Sequence, residues 1–353
     1  MKGFVPLSVD RVRPQTADAV AIRFLVPDDL REAFRFVPGQ YLTLRATIDG
    51  KEVRRSYSIC AAEHEAPEVG IKRVPDGRFS SWALSLRPGD TVEAMAPEGR
   101  FTAAIDGGRH DYLLVAAGSG ITPCLSIARS VLAGEPDSTV TLIYGNRTTD
   151  TVMFREEIDA LKDRHTNRFV LFHVTSRERQ DVAFLHGRVD GARVRELAER
   201  GLVDPSRFDA AYLCGPQGMV ESVREALVAL GMDETAVRAE LFTAAGAPPR
   251  PAPEEIERVE GARVTIVADG VTRDVPIDPQ TQTVLQAGQA AGLDLPFSCA
   301  GGMCCTCRAK VAEGEVAMDA NYSLEPWEVE AGFALACQAR PRTERTVMDF
   351  DAA

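Results

Sequence analysis

The run Ser298–Cys307, SCAGGMCCTC, places four cysteines within nine residues: Cys299, Cys304, Cys305 and Cys307. Thiols at this density hold either disulfides or a metal. Cys299, Cys304 and Cys307 are spaced C-x4-C-x2-C, and Cys337 follows after 29 intervening residues. That is the plant-type ligand spacing of a [2Fe–2S] cluster, in which four thiolates converge on two irons. Gly301 and Gly302 let such a loop wrap closely and aim backbone N–H groups at the sulfurs. A zinc site would ordinarily pair two C-x2-C knuckles, and here there is one. Adjacent side chains diverge, so Cys304 and Cys305 do not reach the same iron. Cys305 reads as a small packing thiol, as do Cys60 and Cys124.

Upstream of this stretch, "RVTIVADGVTRDVPI" is two alternating runs around Asp269-Gly270, the signal of a β-hairpin, and "TVLQAGQAAGL" continues as a helix. Before that, Thr243–Gly261 is the clearest boundary: four prolines fall between Gly246 and Pro253 and favour an extended spacer. The module after it is expected over 261–353, an α+β β-grasp fold carrying the cluster, with a proline-rich linker over 243–260. Near Gly107 the texture changes again. Short alternating runs such as "YLTLRA", "RSYSIC" and "VGIKRV" predict an antiparallel β-barrel or sandwich over 1–106. Beyond it "YLLVAAG", "VTLIYG", "RFVLFHV" and "AAYLCG" alternate with helical patterns. This predicts a doubly wound parallel sheet over 107–242, with ligands at the carboxyl ends of its strands. One such helix, "MVESVREALVAL", places Met219, Val220, Val223, Ala226, Leu227 and Leu230 on one face.

At 353 residues the chain has room for two or three domains, and 45% hydrophobic content is ordinary for a globular protein. A net charge of −12 argues against nucleic acid and against an anionic membrane as partner. The N-terminus lacks the apolar core of a secretory signal, and no apolar run has the length of a membrane span, so a cytoplasmic location is expected. From Gly261 to Ala353 there are 13 acidic against 7 basic residues, a solvated surface or a docking face for a basic partner. Glu313, Glu315 and Asp319 are the candidates for such a face.

Four short motifs bear on chemistry in the first two domains. "RSYS" offers the Arg55 fork to a pyrophosphate, the Tyr57 ring to a flavin, and the Ser58 hydroxyl near its reactive nitrogen. "DGRFSSWALSL" puts Gly77, Ser80 and Ser81 at a helix start, where free N–H groups suit a phosphate or a serine simply caps the helix. "AAGSGITP" ends a strand and opens a helix, with Gly118 and Gly120 permitting close approach of a pyrophosphate. "YLCGPQGM" ends another strand with Cys214-Gly215-Pro216.

The order R-x-Y-S, G-x-G-x-x-P, C-G-P resembles the ferredoxin–NADP reductase family. With the C-terminal module, nearly the whole chain is similar to the reductase-subunit family of phenylacetyl-CoA epoxidases, most sharply in "YGNRTTDTVMFREE", "HGRVDG" and "NYSLEPWEVEAGFALACQA". The resemblance implies FAD held by Arg55, Tyr57, Ser58 and Ile59, with Lys72, Gly77, Phe79, Ser80 and Ser81 also in contact. It implies a nicotinamide nucleotide bound by Gly118, Ser119, Gly120, Thr122, Pro123 and Arg147, and by Gly215 and Pro216, with Cys214 beside the hydride path. Tyr57, Ser58 and Cys214 are thereby candidates for the catalytic centre, and Cys299, Cys304, Cys307 and Cys337 for the cluster ligands. Two positions depart from many relatives: Cys124, where Met is frequent, and Cys305, where a small residue is usual. Ser176-Arg177 in "HVTSRERQ" matches the pair with which plant-type relatives grip the 2′-phosphate of NADP, so NADPH is the expected donor over NADH.

Electron counting then sets the expected role. A hydride delivers two electrons, FAD can release them singly, and a cluster carries one at a time. No histidine constellation or nucleophile appears in the chain, so the substrate chemistry belongs on a partner. The diiron oxygenase subunits of a multicomponent monooxygenase are the first candidate. A Rieske-type oxygenase, a steroid hydroxylase or a small acceptor such as a quinone are the alternatives.

Overall fold

Residues 3–242, 259 and 261–352 are described by the computed structural model and fall into two compact units, one made almost wholly of chain before the proline-rich segment and one almost wholly of chain after it. Apart from Val259, the linker expected over 243–260 lies outside the described residues.

The first unit begins with six strands that each turn alternate apolar residues inward. They are β1 (Val5–Thr16), β2 (Ala19–Leu25), β3 (Tyr41–Ile48), β4 (Lys51–Ser58), β5 (Glu68–Lys72) and β6 (Thr91–Ala94). Their order is β4-β3-β6-β1-β2-β5, and a bridge between Ile59 and Val69 brings the end of β4 onto β5. The antiparallel sheet thus closes on itself as a barrel, and closure removes its free edges. Leu7, Ile22, Phe24, Leu42, Leu44 and Ile71 fill the interior. A six-residue helix, α1 (Arg78–Ala83), follows β5 and buries Phe79 in the same core.

The same unit continues into β7 (Asp111–Ala117), β8 (Thr139–Asn146), β9 (Phe169–Thr175), β10 (Ala210–Gly215) and β11 (Val237–Leu241). All four pairings are parallel, in the order β11-β10-β7-β8-β9. Helices α2 (Ile121–Gly134), α3 (Arg155–Arg164), α4 (Gly191–Glu199) and α5 (Gln217–Ala229) cover both faces. Along β7, Leu114 and Ala116 enter the core shared with α2, whereas Leu113 and Val115 enter the core shared with α4 and α5. The α5 stripe is as expected, with Met219, Val220, Val223, Ala226 and Leu227 buried and Leu230 at the partly buried C-cap. The strand order reverses between β7 and β10, so a crevice opens at their carboxyl ends.

Gly120 sits in that crevice. A Cβ there would lie 2.2 Å from the carbonyl oxygen of Cys214, so only glycine lets α2 start against the end of β10. The space a side chain would need at Gly120 is thus taken by protein backbone. Gly118, at φ +55° with nothing within 4 Å of its Cβ position, is the glycine that faces open space.

The second unit carries β12 (Arg263–Ala268), β13 (Val271–Pro276), α6 (Val284–Ala290), β14 (Arg308–Glu313), β15 (Val316–Met318), α7 (Pro326–Glu330), β16 (Phe333–Leu335), β17 (Ala339–Pro341) and β18 (Arg345–Asp349). The β12–β13 hairpin turns at Asp269 and Gly270, both at positive φ (51° and 72°), the geometry for which an Asp-Gly pair is suited. Thr283 caps α6 in a reciprocal box with Gln286. The mixed sheet, ordered β13-β12-β18-β14-β16, packs on α6 through Val264, Ile266, Val284, Leu285 and Met348 in a β-grasp arrangement.

Among the described residues no helix is long and apolar enough to cross a membrane. Gly120→Ala should cost about 1–3 kcal/mol of stability, the usual penalty of forcing atoms into a packed site. Gly218→Ala, in α5 with nothing near its Cβ position, should instead gain about 0.4–1 kcal/mol. Denaturant unfolding of both variants reads the difference, and equal effects would show that the Gly120 approach constrains nothing.

Candidate functional site

The cluster loop is shaped by backbone that most residues avoid. Ala300, Gly302 and Cys305 all have positive φ (47°, 80° and 57°). At Gly302 a Cβ would meet the Ala320 carbonyl oxygen at 2.9 Å, while its own carbonyl accepts from the Tyr322 N–H and the Ser323 hydroxyl. The four thiols with ligand spacing come together as two pairs, Cys299 with Cys304 and Cys307 with Cys337. The Cys299 thiol is pulled down to about 5, first by the hydrogen bond with Cys304 and then by the N–H groups of Gly301, Met303 and Cys304. The Cys337 thiol is lowered by its pairing with Cys307 and by a hydrogen bond from Gln338. Two pairs of thiol sulfurs, with amides pointed at them, are the donor set two irons require. Cys305 points elsewhere and donates to the Ser323 hydroxyl at 3.0 Å.

Gln338 was not anticipated. Buried at 1% exposure, its amide donates to Cys337 Sγ at 3.3 Å and to the Ala300 carbonyl at 3.2 Å, so one side chain ties a ligand sulfur to the far limb of the loop. Its position directly after the fourth cysteine is the sequence signal that marks it.

In the barrel, Tyr57 is half-buried and rests on Phe79 with ring centroids 5.6 Å apart. Ser58 is buried, and its hydroxyl donates to Glu240 Oε2 at 3.4 Å. Glu240 stands on β11 directly beside Cys214 of β10 in the parallel ladder. Burial pushes its carboxyl up to about 7, against the lowering effect of the Ser58 hydroxyl. Sequence reading missed Glu240, because nothing in "VRAELF" marks it and its hydroxyl partner is 182 residues away. Ser58, Cys214 and Glu240 therefore converge at the crevice. The Cys214 thiol is wholly buried, and burial holds it well above its usual range.

Other flavin candidates are placed differently. Arg55 is exposed, and the side chains of Ile59 and Phe79 fill the barrel core, so only their backbone can meet a ligand. Lys72 is 3.6 Å from Asp18. Helix α1 has Gly77 at its N-cap without a side-chain cap, so the serine-capping alternative does not hold. The Ser80 hydroxyl instead accepts from the Val74 N–H and donates to the Gly77 carbonyl, while Ser81 is exposed.

At the nucleotide crevice, Gly118, Ser119 and Gly120 form a single turn before α2, and the Tyr144 hydroxyl donates to the Gly118 carbonyl at 2.9 Å. Thr122 donates to the Ser119 carbonyl, and Pro123 lies in the first helical turn, where its missing N–H is not needed. Gly215-Pro216 closes β10 and opens α5, with Gly215 a Cβ-width from Met219. Beyond β8 and β9, Arg147 and Arg177 are both exposed, and the Arg177 N–H donates to the Arg147 carbonyl at 2.8 Å. Ser176 donates to the Asn146 carbonyl at 3.3 Å.

Of the acidic residues suggested for docking, Glu313 and Glu315 are exposed. Asp319 is not available: its carboxylate, 8% exposed, is paired with Arg340 at 2.8 Å. The pair ties β15's exit to β17, a structural role that residue type alone does not distinguish from a surface charge.

Comparison with known proteins bears on all three regions. Residues 7–103 match the oxidoreductase FAD-binding domain, 114–225 the oxidoreductase NAD-binding domain, and 266–342 the 2Fe-2S iron-sulfur cluster binding domain. The chain is 43% identical to a subunit of the 1,2-phenylacetyl-CoA epoxidase of Escherichia coli (strain K12), over 100% of this chain and 99% of the relative. It is 36% identical to the ferredoxin reductase component of 3-ketosteroid-9-alpha-monooxygenase from Rhodococcus rhodochrous, covering 98% of this chain and 97% of that one. Among solved structures, phthalate dioxygenase reductase shares the fold, with a TM-score of 0.59 at 22% identity over 99% of this chain and 98% of that chain. The chain thus has binding domains for FAD, a pyridine nucleotide and a [2Fe–2S] cluster.

Two outcomes test the geometry. Cys304→Ser should lose the visible iron–sulfur absorption and Cys305→Ser should keep it; the reverse would show the ligand register to be wrong. Glu240 yields a pH signature. Its folded pKa, about 7, lies above the usual 4.5. Its contribution to stability is therefore fully present below the usual value and lost as pH rises through the folded one. Relative to Glu240→Gln, the wild-type melting temperature should fall from about pH 5 to about pH 8; parallel curves would remove the shift.

Proposed function

Because the chain belongs to the ferredoxin–NADP reductase family of oxygenase reductases, with FAD-binding, NAD-binding and [2Fe–2S] domains in that order, we propose that it carries electrons from NADPH to the diiron oxygenase of a phenylacetyl-CoA epoxidase. The full-length identity to the epoxidase subunit is the observation that carries this reading. We place the domain boundaries at 1–106, 107–242 and 261–353, and the location in the cytoplasm, a reducing compartment that suits eight cysteines none of which is in a disulfide.

When bound, FAD supplies the change from two-electron to one-electron transfer, and the cluster supplies single-electron carriage. The protein's own part is to bind, orient and hold protons. Tyr57 offers a ring against which a flavin can stack, and Arg55 a fork for its pyrophosphate. Ser58 and Glu240 hold an exchangeable proton at the crevice, since a carboxyl with a pKa of about 7 is shared between its two forms near neutrality. Gly118 leaves room for the nucleotide's pyrophosphate, and Gly215 with Pro216 turns the chain away at the position where a nicotinamide would lie. Cys214, buried and protonated, packs the floor of that position. Cys299, Cys304, Cys307 and Cys337 would ligate the cluster, with Gln338 donating to Cys337.

NADPH preference is supported by Ser176 and the exposed Arg147 and Arg177. A charge-assisted contact is worth about 1.5–3 kcal/mol, so Arg177→Ala should weaken NADPH use about 10- to 150-fold. Equal wild-type efficiency with NADH and NADPH would overturn the assignment.

The functional test is NADPH oxidation by the FAD- and cluster-loaded protein, with and without the purified epoxidase oxygenase subunits and phenylacetyl-CoA. Substrate-dependent turnover only in the complete mixture is the expected result. Product formation by the reductase alone, or no coupling to the oxygenase, would overturn it. Coupled turnover should also fall as ionic strength rises and with Glu313→Lys or Glu315→Lys, because rim charges steer encounter. Reduction of ferricyanide should change far less.

A further inference from the structure

The carboxyl edge of the nucleotide sheet holds a carboxylate where a phosphate receptor would least tolerate one. Chain leaving β8 passes Arg147 and enters a single turn over Thr149–Thr151. Chain leaving β9 passes Ser176, Arg177 and Glu178. The ladder between the two strands continues past their ends, with the Ser176 N–H on the Asn146 carbonyl at 3.0 Å and the Arg177 N–H on the Arg147 carbonyl at 2.8 Å. Where that ladder stops, the Glu178 side chain takes over. Its Oε2 accepts the Thr149 N–H at 2.5 Å and its Oε1 accepts the Thr149 hydroxyl at 2.9 Å.

Glu178 is itself held in place. Its carbonyl accepts from the Thr175 hydroxyl at 2.8 Å and lies 3.0 Å from His186 Nδ1, while Gln180 donates to the same Thr175 hydroxyl at 2.7 Å. The Thr149 hydrogen bonds also keep its carboxyl below the usual range, so it is an anion across the working pH range. An anion pointed at a 2′-phosphate would repel it. Here both oxygens are engaged by Thr149, across the gap between the two arginine-bearing loops.

We propose that Glu178 is a positioning residue for nucleotide discrimination: by clamping the Thr149 turn to the chain after β9, it keeps Arg147 and Arg177 side by side as a two-cation receptor for a phosphomonoester on the adenosine ribose. The inference rests on the NADPH reading above and adds a residue that touches neither the phosphate nor the flavin.

The test uses the FAD- and cluster-loaded protein and two probes, 2′,5′-ADP and 5′-AMP, measured by calorimetry. Wild type should bind 2′,5′-ADP at least about tenfold more tightly than 5′-AMP, the effect of one charge-assisted contact. Glu178→Ala should lose about tenfold on 2′,5′-ADP and less than about twofold on 5′-AMP. Glu178→Gln, able to accept only one of the two hydrogen bonds, should fall between, and carries the test if the alanine variant does not fold. In turnover, KM for NADPH should rise about tenfold while kcat at saturation stays within about twofold. Unchanged or tighter 2′,5′-ADP binding in Glu178→Ala would overturn the clamp while leaving the NADPH reading standing. A wild type that binds the two probes alike would overturn the NADPH reading and the clamp together.

Discussion

No side chain fits between Gly120 and the carbonyl of Cys214, and much of the geometry of the crevice follows from that contact. It presses the first turn of α2 against the last residues of β10, so the Gly118–Gly120 turn and the Cys214-Gly215-Pro216 turn form one rigid rim around the crevice. A second close approach joins this rim to the barrel: a Cβ at Gly70 on β5 would lie 2.5 Å from Thr122 and 2.9 Å from Phe154. Barrel and parallel sheet thus meet at Gly70 as well as through the Ser58–Glu240 hydrogen bond. Packed interiors transmit such constraints because they have almost no free volume to absorb a displacement.

Much of this was legible in the sequence because it rests on local rules. Cysteine spacing reports which thiols can reach a common centre. Asp269-Gly270 reports a backbone conformation that few residue pairs adopt. The α5 stripe reports a buried face through its period alone. The features that escaped are those made by tertiary approach. Glu240 gains its meaning from a serine on another sheet and from the cysteine beside it on β10. Asp319 looks like any surface acid until Arg340 is folded against it. At Gly120 the motif marks a missing side chain, but only the fold shows that the Cys214 carbonyl fills its place.

The cluster loop holds its shape at the expense of backbone strain. Non-glycine residues in the left-handed region cost about 1–2 kcal/mol each, and both Ala300 and Cys305 lie there. That conformation separates the two adjacent thiols: Cys304 turns inward to Cys299, whereas Cys305 turns out to Ser323. Gln338 then fixes the loop's far limb to the fourth thiol. Such pre-organisation places the cost of shaping the site in folding instead of in metal capture.

Glu240 has a consequence that goes beyond acid–base roles. The proton occupancy of a group responds most steeply to its surroundings when the ambient pH equals its pKa, and this carboxyl sits at about 7. A charge arriving or leaving within a few ångströms shifts that occupancy, and the shift partly cancels the charge. The crevice thus contains an electrostatic capacitor, one carboxyl that takes up or gives back a fraction of a proton as its neighbours change. A fixed anion or a fixed neutral group at the same place would stabilise one charge state and penalise the other. A half-titrated one flattens the difference between charge states at that place.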